Sequence, residues 1–203
     1  MKYRPEAASD EPVVRRFGLV KRPALFLDRD GVINHDPGDY TAHVDAFTLL
    51  PTFLAAMQAS AAAGYAVVVI TNQGGIAKGL YTHDDVRAIH AVLHAACAAQ
   101  NTPITGILYS PHHPDAGESL SRKPGSLMIE RALARYGLDA ARSWMIGDKD
   151  RDLAAAAGAG VRGVKIPVNG DLLAAVEALP SCVPCCSPSP SSPPHPRRPN
   201  TTS

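Results

Sequence analysis

Two aspartates stand directly after an apolar run near the start of the chain. The stretch ALFLDRDGVIN, residues 24–34, places Asp28 and Asp30 where a buried strand is predicted to end. Two negative charges at that point repel each other unless a cation lies between them. A carboxylate so placed can attack phosphorus and form an aspartyl-phosphate. The second carboxylate can protonate the leaving oxygen and later activate a water molecule.

Three further polar motifs, TNQGG, SRKPGS and GDKDRD, come after later predicted strands. They supply Thr71, Asn72, Gln73, Arg122, Lys123, Asp148, Lys149 and Asp152. Ligands of an open parallel sheet bind outside the carboxyl ends of its strands, so these side chains are expected on one rim. Clustered carboxylates favour a hard divalent ion, for which Mg²⁺ fits best. Lysine and arginine beside a metal suit a transferring phosphoryl group.

Each motif taken alone also has a purely structural interpretation. DRDG could be a turn with solvated acids, and TNQGG a tight turn. RKPG could be an exposed loop whose proline starts a helix. GDKDRD could be a helix N-terminus, which favours acids such as Asp150 or Asp152. The order of the motifs and their common rim favour the chemical interpretation.

The elements that must position these motifs alternate along the chain. Strands are predicted at residues 24–28, 66–71, 104–110, 143–148 and 162–166, and helices at residues 51–63, 82–100, 126–136 and 151–159. Gly64, Gly137 and Gly160 are predicted helix stops, and Thr82 and Asp139 are predicted helix starts. This alternation indicates βαβ units around a parallel sheet, an α/β fold.

Composition and charge restrict the class of protein. The 203 residues are 45% hydrophobic and carry a formal net charge of +1, which is enough chain for one domain with a core. The near-neutral balance argues against nucleic-acid binding. No apolar run is long enough to span a membrane, and the charged first residues lack the apolar region of a secretory signal. We therefore expect a cytoplasmic monomer without a membrane partner.

Three segments are predicted along the chain. Residues 1–22 form a polar leader, residues 23–179 the folded domain, and residues 180–203 a disordered tail rich in proline and serine. Cys182, Cys185 and Cys186 fall in this tail, where loose thiols are favoured over a metal site or a lipid anchor.

The four motifs together resemble those of a known family. FLDRDGVIN, VVVITNQGGIAKG, RKPG and MIGDKDRDLAAAAGAG resemble the motifs of the haloacid dehalogenase (HAD) superfamily, and most closely its histidinol-phosphate and heptose-bisphosphate phosphatase group. The resemblance covers about residues 23–168, with the motifs in the family's order. It implies a Rossmann-like three-layer sandwich with a minimal cap.

The resemblance also implies a role for each site residue. Asp28 would be the nucleophile and Asp30 the general acid/base, while Thr71 and Lys123 would hold the phosphoryl group. Mg²⁺ would be bound by Asp28, the main-chain carbonyl of Asp30, and Asp148. Contacts to the substrate would come from Asp36, Tyr40, Asn72, Gln73, Arg122 and Lys149, the first two in the segment 35–47 that covers the sugar in the family.

One loop departs from the family pattern. Members often carry a structural zinc on cysteines and a histidine before the Arg-Lys-Pro sequence. Here Ser110, Ser119 and Ser121 occupy the cysteine positions and only His112 remains. Hydroxyls are poor zinc ligands compared with thiolates, so no zinc is predicted. His112 and His113 are then expected to be loop residues rather than ligands.

The expected function is Mg²⁺-dependent hydrolysis of a small phosphate ester, with a heptose 1,7-bisphosphate as the leading substrate. Histidinol phosphate is an alternative that would use the same machinery. A polynucleotide 3′-phosphatase is a third, although it would call for a basic groove. A phosphate-binding module without catalysis, docked through its proline-rich tail, is the fourth.

Overall fold

Five parallel strands build the sheet of the computed structural model, which describes residues 21–181. They are β1 (Arg22–Leu27), β2 (Ala66–Asn72), β3 (Gly106–Ser110), β4 (Leu138–Gly147) and β5 (Arg162–Lys165). Their spatial order is β3-β2-β1-β4-β5, so β1 lies at the centre. The predicted α/β fold with a parallel sheet is confirmed, and every predicted strand is present with its bounds shifted by a few residues.

Helices cover both faces of this sheet. They are α1 (Phe53–Ala62), α2 (His83–Ala99), α3 (Leu127–Tyr136), α4 (Asp150–Gly158) and α5 (Leu172–Glu177). The four predicted helices are confirmed. The sequence analysis missed α5, a short helix whose N-cap Asp171 accepts a hydrogen bond from the amide of Ala174 at 3.2 Å.

The core has two halves because side chains alternate along β1. Leu25 and Leu27 point to the face covered by α1, α2 and α5, whereas Ala24 and Phe26 point to the face covered by α3 and α4. All four are buried. This is the three-layer arrangement expected of a Rossmann-like sandwich. In residues 21–181 the segments above the carboxyl edge of the sheet are short connections without a separate cap domain.

Helix ends follow the predicted signals. Thr82 caps α2 in a reciprocal arrangement with Asp85, a capping box. Gly137 ends α3 in a left-handed conformation with φ of 63°, which glycine adopts without the steric cost of a Cβ atom. Gly64 and Gly160 also have positive φ just after helices. The three glycine stops are confirmed.

The helix start predicted at Asp139 is wrong. Residues 138–147 form strand β4, and its register with β1 shifts: Pro23 pairs with Asp139, but Leu25 pairs with Trp144. The extra residues of β4 bulge out of the ladder. Asp139 accepts a hydrogen bond from the amide of Arg142 at 3.4 Å. This bond has the spacing of a helix cap, but here it closes the bulge.

Residues 21–181, which the structure describes, include the end of the predicted leader and the start of the predicted tail. Strand β1 begins at Arg22, so the chain is already part of the sheet at the last residue of the predicted leader. Most of the leader and the tail, with its three cysteines, lie outside the described residues. Within residues 21–181 no helix is long and apolar enough to cross a membrane.

Candidate active site

The ends of four strands bring the predicted site residues to one edge of the sheet. Asp28 follows β1, Thr71 and Asn72 end β2, Ser110 ends β3, and Asp148 follows β4. Because the strands are parallel, their carboxyl ends lie together. The common rim that the motif order predicted is therefore present.

Three buried carboxylates form the centre of the site. Oxygen atoms of Asp28, Asp148 and Asp152 all lie within 4.8 Å of one another. The ammonium of Lys123, itself buried, lies 2.9 Å from Asp28 Oδ1 and 2.7 Å from Asp152 Oδ1. It also donates a hydrogen bond to the carbonyl of Ile70 at 2.7 Å. The ammonium of Lys149 lies 3.0 Å from Asp148 Oδ2, so two ammoniums face three carboxylates, which still leaves an excess of negative charge.

This excess makes the cluster suitable for a divalent cation. Burial raises the pKa of Asp28 to about 6, and the charge of Asp152 acts in the same direction, against the attraction of Lys123. Both oxygens of Asp148 are buried and accept no hydrogen bond of good geometry, although Lys149 Nζ lies 3.0 Å from Oδ2. Buried carboxylates with free lone pairs are the ligands that Mg²⁺ prefers. The residues present therefore fit this ion.

Close packing around the cluster requires glycine at two positions. Gly31 has φ of 84°, and a Cβ atom there would lie 2.9 Å from Asp148 Oδ2. Gly147 faces Asp152, whose Cβ would lie 2.3 Å from an added Cβ. Larger residues would push the two carboxylates out of position, because contacts this short are not tolerated in folded proteins.

Asp30 lies beside this cluster but points to a different set of partners. Arg29, buried between the two aspartates, donates from Nη2 to both carboxylate oxygens of Asp30 at 2.9 Å. Asn34 and Gln73 add hydrogen bonds of 3.0 Å and 3.1 Å. Burial alone would raise the pKa of Asp30, but Arg29 and the hydrogen bonds from Asn34 and Gln73 outweigh it and lower the pKa.

The two amide side chains after β2 are bound to the protein. Asn72 donates to the carbonyl of Lys123 at 3.0 Å and accepts from its amide at 3.0 Å. Gln73, 1% exposed, donates to Asp30 and also to Thr71 Oγ1 at 2.9 Å. These contacts hold Lys123, Asp30 and Thr71 in place.

At the mouth of the site Lys149 joins two segments. Its ammonium lies 3.3 Å from Asp36 Oδ2 as well as 3.0 Å from Asp148. Asn169 holds the main chain of Asp36 on both sides, accepting from its amide at 2.7 Å and donating to its carbonyl at 2.9 Å. The segment 35–47 is thereby attached to the chain that follows β5.

Arg122 and Tyr40 lie further out. Arg122 donates to the carbonyl of His112 at 2.7 Å. Burial lowers the pKa of Arg122, and the nearby guanidinium of Arg151 acts in the same direction. Tyr40 is 37% exposed and lies edge-on to Tyr81, with ring centroids 5.9 Å apart. Both predicted substrate contacts are accessible from solvent.

The three serines at the family's cysteine positions contact one another. Ser119 and Ser121 hydroxyls are 2.9 Å apart, and Ser110 and Ser121 hydroxyls 3.3 Å apart. The loop that follows β3 is thus closed by hydroxyl hydrogen bonds at the point where a zinc ion would lie in the family pattern. The absence of zinc stays a prediction.

Three residues of the site were not predicted to be part of it. Asp152 was expected on the rim with the GDKDRD motif, but its pairing with Lys123 was not predicted. Arg29 lies inside the DRDG motif, but nothing in the sequence indicated that this arginine would be buried. Tyr81 and Asn169 contact site residues that are distant in sequence, so no local pattern marks them.

Comparison with known proteins agrees with this geometry. The family model HAD-hydrolase-like matches residues 120–175. The D-glycero-alpha-D-manno-heptose-1,7-bisphosphate 7-phosphatase of Burkholderia mallei is 39% identical over 148 residues, covering 70% of this chain and 78% of the relative. The D-glycero-beta-D-manno-heptose-1,7-bisphosphate 7-phosphatase of Salmonella typhi is 40% identical over 153 residues, covering 72% and 80%.

Solved structures show the same relationship. The D,D-heptose 1,7-bisphosphate phosphatase of B. bronchiseptica, complexed with magnesium and phosphate, has a TM-score of 0.66 at 32% identity over 76% of this chain and 96% of that one. The corresponding enzyme of Burkholderia thailandensis has a TM-score of 0.53 at 32% identity, covering 78% and 88%.

The parallel sheet and its buried acidic cluster define the class of this protein, a HAD-like hydrolase with phosphatase activity. Sequence identity of about 40% over most of each relative's length identifies the group of HAD-like phosphatases to which the chain belongs. The chain belongs to the D,D-heptose 1,7-bisphosphate phosphatase group. The family predicted from the four motifs is confirmed.

Proposed function

We propose that this protein removes the 7-phosphate of D-glycero-D-manno-heptose 1,7-bisphosphate in a Mg²⁺-dependent reaction. The observation that carries this proposal is the buried cluster of Asp28, Asp148 and Asp152 around Lys123, in a chain of the heptose phosphatase group. The cluster has the negative charge to hold a divalent cation and a carboxylate next to an ammonium that can bind a phosphoryl oxygen.

Asp28 and Asp148 would supply the carboxylate ligands of the metal, together with the main-chain carbonyl of Asp30. Asp152 has a different task, because its Oδ1 pairs with Lys123 and its Oδ2 accepts from the amide of Lys149 at 3.1 Å. Mg²⁺ bound there would offset the charge of the transferring phosphoryl group.

The first half of the reaction transfers the phosphoryl group to the protein. An oxygen of Asp28 attacks phosphorus, and the bond from phosphorus to the C7 oxygen breaks. Asp30 gives its proton to the departing oxygen. Lys123 and the Thr71 hydroxyl bind the phosphoryl oxygens, which keeps phosphorus in line with Asp28.

The second half restores the enzyme. Asp30, now a carboxylate, takes a proton from water, and the oxygen of that water attacks the aspartyl-phosphate. Inorganic phosphate leaves and the carboxylate of Asp28 is regenerated. The contacts of Arg29, Asn34 and Gln73 with Asp30 lower its pKa and favour the carboxylate, the form that activates water, so proton donation in the first half draws on the smaller protonated fraction of Asp30.

The sugar and the second phosphate are bound at the mouth of the site. Arg122 and Lys149 are the cations placed there, with Asp36 and Tyr40 available for the hydroxyl groups of the sugar. Asn72 and Gln73, whose amides already bind protein groups, act by holding Lys123, Asp30 and Thr71.

The test is phosphate release from a panel of esters with Mg²⁺ and with EDTA. The panel contains both anomers of the heptose 1,7-bisphosphate, a hexose bisphosphate, histidinol phosphate and a 3′-phosphorylated oligonucleotide. We expect the heptose bisphosphate to be turned over fastest and only with Mg²⁺. Faster turnover of histidinol phosphate or the oligonucleotide would reassign the substrate, and no turnover at all would favour a binding module. The relatives include enzymes named for each anomer, so the preferred anomer comes from the same assay.

Two variants test the mechanism. Asp28→Asn is expected to abolish turnover and to form none of the phosphoenzyme that the parent protein gives after an acid quench, which is stable in acid and cleaved by alkali or hydroxylamine. Asp84→Asn, an exposed aspartate on α2 that pairs with Arg87 at 2.6 Å, is the matched control and should retain full activity. Retained turnover in Asp28→Asn would refute the nucleophile.

Three expectations accompany the proposal. Elemental analysis of the purified protein should find no zinc, light scattering should give a monomer mass, and the protein should fractionate with the cytoplasm. The serine contacts after β3 support the first of these.

A further inference from the structure

Tyr81 lies next to the catalytic edge of the sheet, and the sequence analysis predicted no role for it. It is 5% exposed and stands just before α2. Its ring crosses Gly75, where an added Cβ would lie 2.2 Å from the ring. Tyr40 packs edge-on from the other direction. The ring is therefore fixed between the segment after β2 and the segment 35–47.

The hydroxyl of Tyr81 donates a hydrogen bond of 2.8 Å to Gln73 Oε1. Burial raises the pKa of Tyr81 to about 12, so the hydroxyl keeps its proton throughout the range in which enzymes work. Tyr81 is thus a permanent donor toward Gln73.

Gln73 uses its whole hydrogen-bonding capacity on protein groups. Its Oε1 accepts from Tyr81 and from Arg29 Nη2 at 3.3 Å. Its Nε2 donates to Asp30 Oδ2 at 3.1 Å and to Thr71 Oγ1 at 2.9 Å. A side-chain amide offers two donor hydrogens and two acceptor lone pairs, so all four are used.

Arg29 and Asp30 decide which way the amide faces, because Arg29 has only donors and the carboxylate of Asp30 has only acceptors. In that orientation Oε1 also accepts the hydroxyl hydrogen of Tyr81, and this shorter bond of 2.8 Å anchors the amide. The NH₂ group must then face Asp30 and Thr71. Because the Thr71 hydroxyl accepts from Gln73, its own hydrogen is free to donate to a phosphoryl oxygen. If the amide turned over, its oxygen would face the Asp30 carboxylate and repel it.

We propose that Tyr81 is a positioning residue for Asp30 and Thr71, acting through the hydrogen bond with which it anchors Gln73. The inference rests on the proposed function, in which Asp30 protonates the leaving oxygen and Thr71 binds the phosphoryl group. Without the Tyr81 hydroxyl, the 3.3 Å contact with Arg29 is the remaining hydrogen bond at Oε1. The amide is then less restrained, and Asp30 loses a fixed donor.

The experiment compares two esters that differ in their need for an acid. The first is an alkyl phosphate, the best substrate of the panel. Its alkoxide is a poor leaving group, so its departure depends on proton donation. p-Nitrophenyl phosphate has a good leaving group and depends on it far less. For Tyr81→Phe we expect kcat/KM for the alkyl ester to fall about tenfold and kcat/KM for p-nitrophenyl phosphate to fall less than about threefold, because kcat/KM reports only the steps up to release of the leaving group.

A double-mutant cycle shows whether Tyr81 acts through Gln73. Gln73→Leu keeps the approximate shape and removes the amide. In that background the further change Tyr81→Phe should have no additional effect on the ratio of the two rates, because the link is already lost. An additive effect would mean that Tyr81 acts by another route and would overturn the inference.

Two controls separate this inference from the proposed function. Tyr65→Phe removes a tyrosine hydroxyl that donates to Pro180 at 2.7 Å, at the opposite end of the sheet, and should leave both rates unchanged. Asp30→Asn sets the scale for lost acid catalysis. If Asp30→Asn lowers kcat/KM, which reports the steps up to release of the leaving group, equally for both esters, the acid role of Asp30 is wrong and the proposed mechanism fails. If Asp30→Asn is selective and Tyr81→Phe is not, the mechanism stands and the role of Tyr81 is wrong.

Discussion

The polar groups at the two ends of the parallel sheet differ in the kind of partner that they contact. At the amino end Arg22 donates to the carbonyls of Gly64 and Tyr65, at 3.3 Å and 3.1 Å, and Ser143 Oγ accepts from the amide of Ala24 at 2.8 Å. Each group finds a neutral main-chain partner. At the carboxyl end three carboxylates share a small volume with Lys123.

This difference separates groups that stabilise the fold from groups that serve a ligand. Hydrogen bonds to main-chain atoms connect segments and contribute to stability without a ligand. Buried like charges cost free energy until a cation or phosphate arrives. We therefore expect substitutions at the carboxyl end to separate activity from stability, and substitutions at the amino end to change stability alone.

The strongest test of this comparison is Asp148→Asn. Activity should fall by about 10³-fold or more, because the charge that holds the metal and offsets the phosphoryl group is lost. The free energy of unfolding measured in EDTA should rise, on the order of 1 kcal/mol, because removing one of three repelling carboxylates outweighs the loss of its pair with the partly exposed Lys149. Denaturation by urea with and without Mg²⁺ measures the second quantity.

Asp150→Asn is the matched control for this variant. Asp150 lies two residues further on, exposed, and pairs with Lys165 at 2.6 Å. Its substitution should leave activity unchanged. A large loss of stability in Asp148→Asn without metal would contradict the comparison, since it would show that this carboxylate supports the fold by itself.

Lys123→Met should lower the free energy of unfolding, whereas Asp148→Asn should raise it. Lys123 lies between Asp28 and Asp152, and its loss leaves two buried carboxylates without their cation. We expect a cost of about 3–5 kcal/mol in EDTA together with loss of activity. Lys165→Met, in an exposed pair, should cost less than about 1 kcal/mol. Equal costs for the two lysines would remove the distinction between buried and exposed charge on which the comparison rests.

The dependence of metal stabilisation on pH sharpens the same point. The pKa of Asp28 is raised from 3.8 to about 6 in the folded protein, mainly by burial. Its contribution to metal-free stability is present below pH 3.8 and is lost as the pH rises through about 6, on the order of 3 kcal/mol in total. The increase in melting temperature on adding Mg²⁺ should therefore be larger at pH 7.5 than at pH 5.

His90 titrates in the opposite sense and must be separated from this effect. Burial lowers its pKa from 6.5 to about 3, so its contribution to stability is lost as the pH falls below 6.5. The loss is the same with and without Mg²⁺, and it cancels in the difference between paired melting curves. A Mg²⁺ effect that does not change between pH 5 and pH 7.5 would show that Asp28 does not exchange a proton for the metal.

The sequence was informative where a residue follows a strand directly. Asp28, Thr71 and Asp148 come at strand ends, and parallel topology alone brings them together. Asp152 and Gln73 show the limit. Asp152 accepts a cap-like hydrogen bond from the amide of Lys149, as at many helix starts, and only the approach of Lys123 gives it a place in the site.

Partners from separate segments explain the other differences. The contact of Gln73 with the substrate stays a prediction. Gln73 is bound by Arg29 and Asp30, which follow β1, and by Tyr81 before α2, and these contacts were not predicted. No local spacing encodes such a meeting. Asp139 shows the converse case, since the bond that it accepts at cap spacing is local, whereas its place in β4 depends on pairing with β1. The surroundings of Gln73 and the strand conformation of Asp139 therefore both depend on contacts between residues that are distant in sequence.

The smallest expected effect is at the amino end, in Tyr65→Phe. The Tyr65 hydroxyl donates to the carbonyl of Pro180, which attaches the chain after α5 to the start of β2. Its removal should lower the free energy of unfolding by about 1 kcal/mol, the usual net value of one such bond, equally in Mg²⁺ and in EDTA. Because no charge of the catalytic edge changes, kcat and KM should stay within about twofold of the parent. A stability loss that Mg²⁺ reverses, or a change in kcat, would show that the two ends of the sheet are coupled and would break the division between them.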